Sequence, residues 1–120
     1  MPNILLIDDL RDFRVVLPSQ AVTIARTSAA ALAVLEEQDT WDEIWLDHDL
    51  GELADGTVDD IMVIVDYLSE RAFNDNPVNT PIIYVHSSNP VGVRQMVASL
   101  SRYGYNVRQQ APESVFIVHT

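Results

Sequence analysis

Short apolar runs alternate with helix-forming segments along this chain. Each run is too short for a helix and is rich in aliphatic and aromatic residues, which is typical of a buried strand. The predicted strands are residues 3–7, 21–26, 43–47 and 81–85, followed by two short strands in the tail at 105–109 and 115–119. Strands that alternate with helices form βα units. The pattern therefore predicts an α/β fold, a doubly wound parallel sheet with helices on both faces.

Capping signals give the boundaries of two of the helices. Ser28 precedes a run rich in alanine and leucine and is expected to be the N-cap of a helix over residues 29–37. Thr57 with Asp60 resembles a capping box, which predicts a second helix from there to about residue 72.

The remaining connections are predicted from turn residues. Asn89 before Pro90 indicates the start of a third helix, which Gly104 closes. Residues 10–17 leave room for at most two helical turns before a proline, and residues 49–56 are expected to form a loop. The tail is expected to contain strands and no final helix.

Length and composition favour one globular domain over residues 1–120. The 120 residues are 48% hydrophobic, enough to bury a core. The absence of cysteine excludes disulfides, thiolate metal sites and a thiol nucleophile. No basic leader and no long apolar segment are present, so we expect a cytoplasmic protein without membrane association.

The charge balance restricts the class of partner. The formal net charge is −11, and all seven cationic side chains are arginine. Such a surface repels duplex nucleic acid, whose binding depends on neutralised phosphates. A small phosphorylated ligand remains compatible with it, because a bound divalent cation inverts the local field.

Polar side chains follow three of the predicted strands at the point where each strand ends. Asp8 and Asp9 follow the first, Asp47 and Asp49 the third, and His86 the fourth. The carboxyl ends of parallel strands meet at the edge where α/β proteins bind ligands. Carboxylate oxygens suit Mg²⁺ or Mn²⁺, and an added imidazole shifts the preference toward Mn²⁺, Fe²⁺ or Zn²⁺. The alternative is that the acids only form turns and caps, and that His86 is a core histidine.

The residues after His86 predict a place for an anion. Ser87, Ser88 and Asn89 open a helix whose first N–H groups are available to phosphate oxygens, with Arg94 one turn further along. His48 is a second candidate catalytic imidazole, although strand alternation points it away from Asp47. His119 is interpreted as incidental.

These residues resemble the receiver domain of two-component response regulators over residues 3–104. The matching features are the acidic pair after strand one, Asp47 after strand three, Asp55-Gly56 in the next loop, and Pro-Ile-Ile-Tyr-Val at 81–85. The resemblance implies a flavodoxin-like fold with strand order 2-1-3-4-5. It also implies Mg²⁺ held by the acidic pair, Asp47 and the backbone carbonyl of Asp49, with Asp47 as the phosphoryl acceptor.

The chain departs from the receiver pattern at the groups that contact the phosphoryl oxygens. The hydroxyl that receivers carry at the end of strand four is His86 here, and their lysine after strand five has no counterpart. The strings Leu-Asp-His-Asp-Leu-Gly at 46–51 and His-Ser-Ser-Asn-Pro-Val-Gly at 86–92 are similar to a narrower group, the cyclic-phosphate-processing receivers of phages and bacteria.

Three functional hypotheses follow. The first is a metal-dependent phosphoesterase for a cyclic or nucleotide phosphate, with Asp9 and Asp47 holding the metal, Asp8 and Asp49 as outer or alternative ligands, and His86 as general acid. The second is a non-catalytic receiver-like module that binds a ligand or partner in signalling or phage–host conflict. A conventional phosphoacceptor is the third and least favoured alternative.

Overall fold

The computed structural model describes residues 2–13, 19–86, 90–110 and 116–118. Within these residues the chain forms nine strands and three helices. Their bounds are β1 Asn3–Ile7, β2 Arg11–Phe13, β3 Ala21–Ala25, α1 Ser28–Glu37, β4 Glu43–Asp47, β5 Asp49–Glu52, β6 Val58–Asp60, α2 Met62–Phe73, β7 Ile83–His86, α3 Pro90–Arg102, β8 Val107–Gln109 and β9 Phe116–Val118. The described helices are all too short or too polar to traverse a bilayer.

Five strands form a parallel sheet in the order β3-β1-β4-β7-β8. Ile7 of β1 lies opposite Ala25 on one side and Leu46 on the other, and Asp47 of β4 lies opposite His86 of β7. The predicted α/β fold with a parallel sheet is therefore confirmed. Because the five strands run in one direction, their carboxyl ends lie along one edge.

Side chains of the sheet alternate between two apolar clusters. On one face the strands pack against the three helices, in a core that includes Leu5, Ile44, Leu35, Leu68 and Met96, all with no exposed surface. Burying one such side chain stabilises the fold by roughly 1.5–3 kcal/mol. The helices therefore gain their stability mainly from this contact with the sheet.

The opposite face carries a smaller cluster of Ile4, Leu6 and Trp45. Trp45 stacks on Tyr84 with ring centroids 4.1 Å apart and meets Phe13 of β2 edge-on at 5.2 Å. In the described part of the chain all three helices pack on the first face, so the predicted helices on both faces are not found there. A strand, β2, supplies Phe13 to this face instead of a helix.

The segment at 10–17, for which at most two helical turns were predicted, begins with a strand instead. Residues 11–13 form β2, which pairs antiparallel with β9, and residues 14–18 lie outside the described residues. The prediction was wrong at 11–13 because a partner strand from the far end of the chain outweighs local helix propensity. The two tail strands are confirmed as β8 and β9, and no helix follows α3 in the described residues.

The predicted loop at 49–56 is the first half of a β-hairpin. Strands β5 and β6 pair antiparallel, with Asp49 opposite Asp60. The Asp55 carboxylate in the turn accepts hydrogen bonds from the backbone N–H and hydroxyl of Thr57, which lower the pKa of Asp55. Because Thr57 is used by this turn, the predicted capping box does not form. The second helix, α2, starts at Met62, whose N–H bonds to Asp60.

The N-terminus of α1 is also capped differently from the prediction. Thr27 is the N-cap, and its hydroxyl accepts a hydrogen bond from the N–H of Ala30 at 3.1 Å. Ser28 instead donates two hydrogen bonds to the buried carboxylate of Asp59, one from its backbone N–H at 2.9 Å and one from its hydroxyl at 2.5 Å. This pair fastens the hairpin to α1. The predicted N-cap at Asn89 lies outside the described residues, and α3 starts at Pro90.

Tyr105 lies just before β8, at the edge of the sheet where the strands begin. Its hydroxyl donates to the carbonyl of Leu68 at 2.8 Å and accepts from the N–H of Val78 at 3.2 Å. Burial raises the pKa of Tyr105 above its ordinary value. One phenol therefore links α2, the connection before β7, and the start of β8.

Candidate functional site

Three parallel strands bring polar side chains together at their carboxyl ends. β1 leads into Asp8 and Asp9, β4 ends at Asp47, and β7 ends at His86. β4 lies between the other two, and Asp47 is the register partner of His86. The strand-end residues that the sequence indicated therefore meet at one edge.

Asp8, Asp9 and Asp47 form what we call the acidic cluster. Each offers one carboxylate oxygen, and these three atoms all lie within 4.8 Å of one another. Asp8 has no exposed surface, Asp47 is 1% exposed, and Asp9 is half-buried. Buried carboxylates at this spacing repel one another strongly unless a cation lies between them. An all-oxygen donor set fits a hard divalent cation such as Mg²⁺ or Mn²⁺.

Backbone amides fix the orientation of two of these carboxylates. Asp8 Oδ1 accepts a hydrogen bond from the N–H of Leu10 at 2.9 Å, and Asp47 Oδ1 accepts from the N–H of Asp49 at 3.0 Å. Both are local turns of the kind that Asp side chains favour. Asp8 and Asp47 therefore both form turns and contribute carboxylates to the acidic cluster.

The third carboxylate, Asp9, lies against the hairpin. Gly51 of β5 has φ +74°, and a Cβ added there would stand 2.7 Å from Asp9 Oδ2. Only glycine accommodates both this backbone conformation and the close approach. The glycine belongs to the 46–51 string but was not predicted as a site residue, because its contact is with a residue 42 positions away in sequence.

His86 lies directly beside the acidic cluster. Its Nε2 is 3.8 Å from Asp8 Oδ2, and both side chains have no exposed surface. The separation is longer than a hydrogen bond and within the range of an ion pair. The ring also packs near Trp45, with centroids 6.3 Å apart. The imidazole is therefore held between a carboxylate and an indole.

His48 points to a different part of the edge. Its Nδ1 lies 2.9 Å from Asp49 Oδ1, and its ring packs so closely on Gly92, in the first turn of α3, that a Cβ at that position would collide with it. Asp49 was predicted as a metal ligand. Among the described residues the converging ligand atoms belong to the acidic cluster, whereas the Asp49 carboxylate contacts His48.

The predicted phosphate-binding residues are placed only in part. Ser87, Ser88 and Asn89 lie outside the described residues. Arg94 is exposed on α3, two residues after Gly92.

A cation that was not predicted contacts the backbone of Asp8, one residue of the acidic cluster. Arg26 follows β3 directly, and its Nη1 donates to the backbone carbonyl of Asp8 at 3.4 Å. Its Nη2 donates to Asp12 Oδ1 at 2.6 Å. Strand β3 carries no acidic residue, so nothing within the strand itself singles out its end. The strand order places β3 beside β1, and this is what brings the residue after β3 close to Asp8.

Comparison with known proteins identifies the family of this chain. The model of the cyclic-phosphate processing receiver domain family matches residues 3–102, which include the acidic cluster, the hairpin and His86. Comparisons with curated proteins and with solved structures gave no match. Since the family model covers most of the chain and all the strand ends described above, the chain belongs to the cyclic-phosphate processing receiver domain family.

Proposed function

We propose that this protein is a metal-dependent phosphoesterase that hydrolyses a small cyclic or nucleotide phosphate. The observation that carries the proposal is the convergence of the acidic cluster with a buried imidazole, His86 Nε2, at 3.8 Å from Asp8. Membership of a family described as cyclic-phosphate processing supports the choice of ligand class.

The acidic cluster holds a divalent cation in this proposal. Asp8, Asp9 and Asp47 are the ligands, and Mg²⁺ or Mn²⁺ is the cofactor that matches their hard oxygen atoms. A cation bound there supplies Lewis-acid polarisation of the phosphoryl group. The turns at Leu10 and Asp49 hold two of the carboxylates in place before any ligand arrives, which reduces the ordering cost of binding.

His86 provides the proton for the leaving group. Water attacks phosphorus and forms a new P–O bond, the ester P–O bond breaks, and the leaving oxygen takes the proton from Nε2 of His86. The proton that the attacking water loses restores the imidazolium. A positioned acid contributes about 10²–10⁴-fold to such a reaction. Asp8 stabilises the imidazolium because its carboxylate faces Nε2.

A non-catalytic module that binds a phosphorylated ligand is the second candidate. The observation that favours it is the complete burial of His86, since a general acid has to reach the leaving oxygen of its substrate. In this alternative the imidazole only balances the charge of the acidic cluster. The two candidates share the metal and the ligand class and differ in turnover.

The test is hydrolysis of a panel of 3′,5′- and 2′,3′-cyclic nucleotides with Mg²⁺ or Mn²⁺. Asp47→Asn and His86→Gln are compared with wild type, and Asp66→Asn, an exposed carboxylate on α2, is the matched control. Loss of turnover in the first two variants and normal turnover in the control support the phosphoesterase. Metal and nucleotide binding without turnover on any substrate supports the binding module.

A further inference from the structure

We propose that Arg26 binds the phosphate oxygens of the ligand whose phosphoryl group lies at the acidic cluster. This inference rests on the proposed ligand class, a small phosphate, and does not depend on whether the protein hydrolyses it. It assigns a role to a residue outside the motifs that the sequence indicated.

The position of Arg26 follows from the pairing of β3 with β1. Ala25 is the register partner of Ile7, and the carbonyl of Ala25 accepts a hydrogen bond from the N–H of Asp8 at 3.1 Å. Arg26 and Asp8 are the next residues of the two strands, and the Arg26 guanidinium donates to the carbonyl of Asp8 at 3.4 Å. The guanidinium therefore contacts the same residue that supplies a carboxylate to the acidic cluster.

The charge of the cluster calls for a cation at this place. Three carboxylates, one divalent cation and the imidazolium of His86 together carry no net charge, so the negative charge of an incoming phosphate still lacks a cation. Fixed side-chain cations in this chain are arginines, and the guanidinium fork matches two phosphate oxygens at once. Arg71, by contrast, contacts the backbone of Asn76 and the carboxylate of Asp39.

Asp12 holds the guanidinium and also partly neutralises it. The two side chains form a 2.6 Å ion pair and are 36% and 23% exposed, so the pair is accessible to a ligand from solvent. Asp12 belongs to β2, which covers the second face of the sheet. A purely structural role for the pair would be to fasten β2 to β3. The two roles make opposite predictions for Asp12→Asn.

The test measures binding of inorganic phosphate to the Mg²⁺-loaded protein by calorimetry. Arg26→Gln is expected to weaken phosphate binding about 10- to 100-fold, the loss of a charge-assisted hydrogen bond, and Arg26→Lys to recover part of it. Asp12→Asn is expected to bind phosphate as tightly as wild type or more tightly, because the competing carboxylate is gone. Arg102→Gln, at the far end of α3, is the matched control and is expected to bind as wild type.

Three results overturn the inference. They are unchanged phosphate affinity in Arg26→Gln, an equal loss in Arg26→Gln and Asp12→Asn, and no phosphate binding by the wild type. Circular dichroism checks that each variant is folded, and if Arg26→Gln does not fold, Arg26→Lys and Asp12→Asn carry the comparison. Phosphate binding that depends on Arg26 without hydrolysis of any cyclic phosphate retains this inference and contradicts the phosphoesterase.

Discussion

Gly51→Ala tests whether the hairpin holds Asp9 in a metal-binding position. An added Cβ would stand 2.7 Å from Asp9 Oδ2, whereas ordinary contact begins at 3.4 Å, so the carboxylate has to move by about 0.7 Å. Metal–ligand distances tolerate only about 0.2 Å. We therefore expect Gly51→Ala to weaken Mn²⁺ binding about tenfold or more.

The matched control is Gly56→Ala in the turn of the same hairpin. Gly56 has φ +87°, close to the +74° of Gly51, but a Cβ added there meets nothing within 4 Å. In both variants an alanine in the left-handed conformation lowers the free energy of unfolding by about 1–2 kcal/mol, and each kcal/mol lowers the Tm by about 4 °C. Only Gly51→Ala disturbs Asp9.

The assay is titration of Mn²⁺ followed by electron paramagnetic resonance, with thermal unfolding of each metal-free variant alongside. The expected result is a similar loss of Tm in both variants and a loss of Mn²⁺ affinity in Gly51→Ala only. Equal Mn²⁺ affinity in Gly51→Ala and Gly56→Ala would refute the reasoning, because the contact with Asp9 would then have no bearing on the metal.

Four further predictions concern contacts around the sheet. Tyr105→Phe removes the hydroxyl that bonds to the carbonyl of Leu68 and to the N–H of Val78, and it should lower the free energy of unfolding in urea by about 1–3 kcal/mol. An unchanged free energy of unfolding contradicts the assigned hydrogen bonds. Because burial raises the pKa of Tyr105 in the folded state, stability should fall as pH rises above about 10, and less so in Tyr105→Phe. Ser28→Ala removes a hydroxyl bond to the buried Asp59 and should cost about 1.5–3 kcal/mol by the same assay, and a neutral effect would show that the hairpin is held otherwise. Gly92→Ala should move the His48 ring resonances in an NMR spectrum, and unmoved resonances would contradict the packing of that ring on α3.

The strand ends could be predicted from sequence because the signal is local. Asp8, Asp47 and His86 each follow a short apolar run, and parallel strands place such positions at one edge. The strand order then brings them into contact. No step of that argument needs a long-range contact to be known in advance.

The features that sequence reasoning missed depend on pairings between distant segments. Strand β2 forms because β9 lies beside it, and nothing within residues 10–17 indicates this partner. The hairpin replaces a predicted loop and capping box because Thr57 bonds within the turn to Asp55. Arg26 and Gly51 contact Asp8 and Asp9 because the fold brings together segments that are distant in sequence. Local propensity carries no information about such contacts.

The most direct test of the account is hydrolysis of 2′,3′-cyclic AMP with Mg²⁺, followed by ³¹P NMR. In wild type the cyclic phosphodiester signal should give way to a phosphomonoester signal, and the conversion should stop when the metal is chelated or when Asp47 is replaced by Asn. The same measurement on 3′,5′-cyclic AMP shows which of the two cyclic phosphates the protein hydrolyses. Conversion that persists in Asp47→Asn, or no conversion of any cyclic phosphate by a wild-type protein that binds Mg²⁺, would contradict the proposed phosphoesterase.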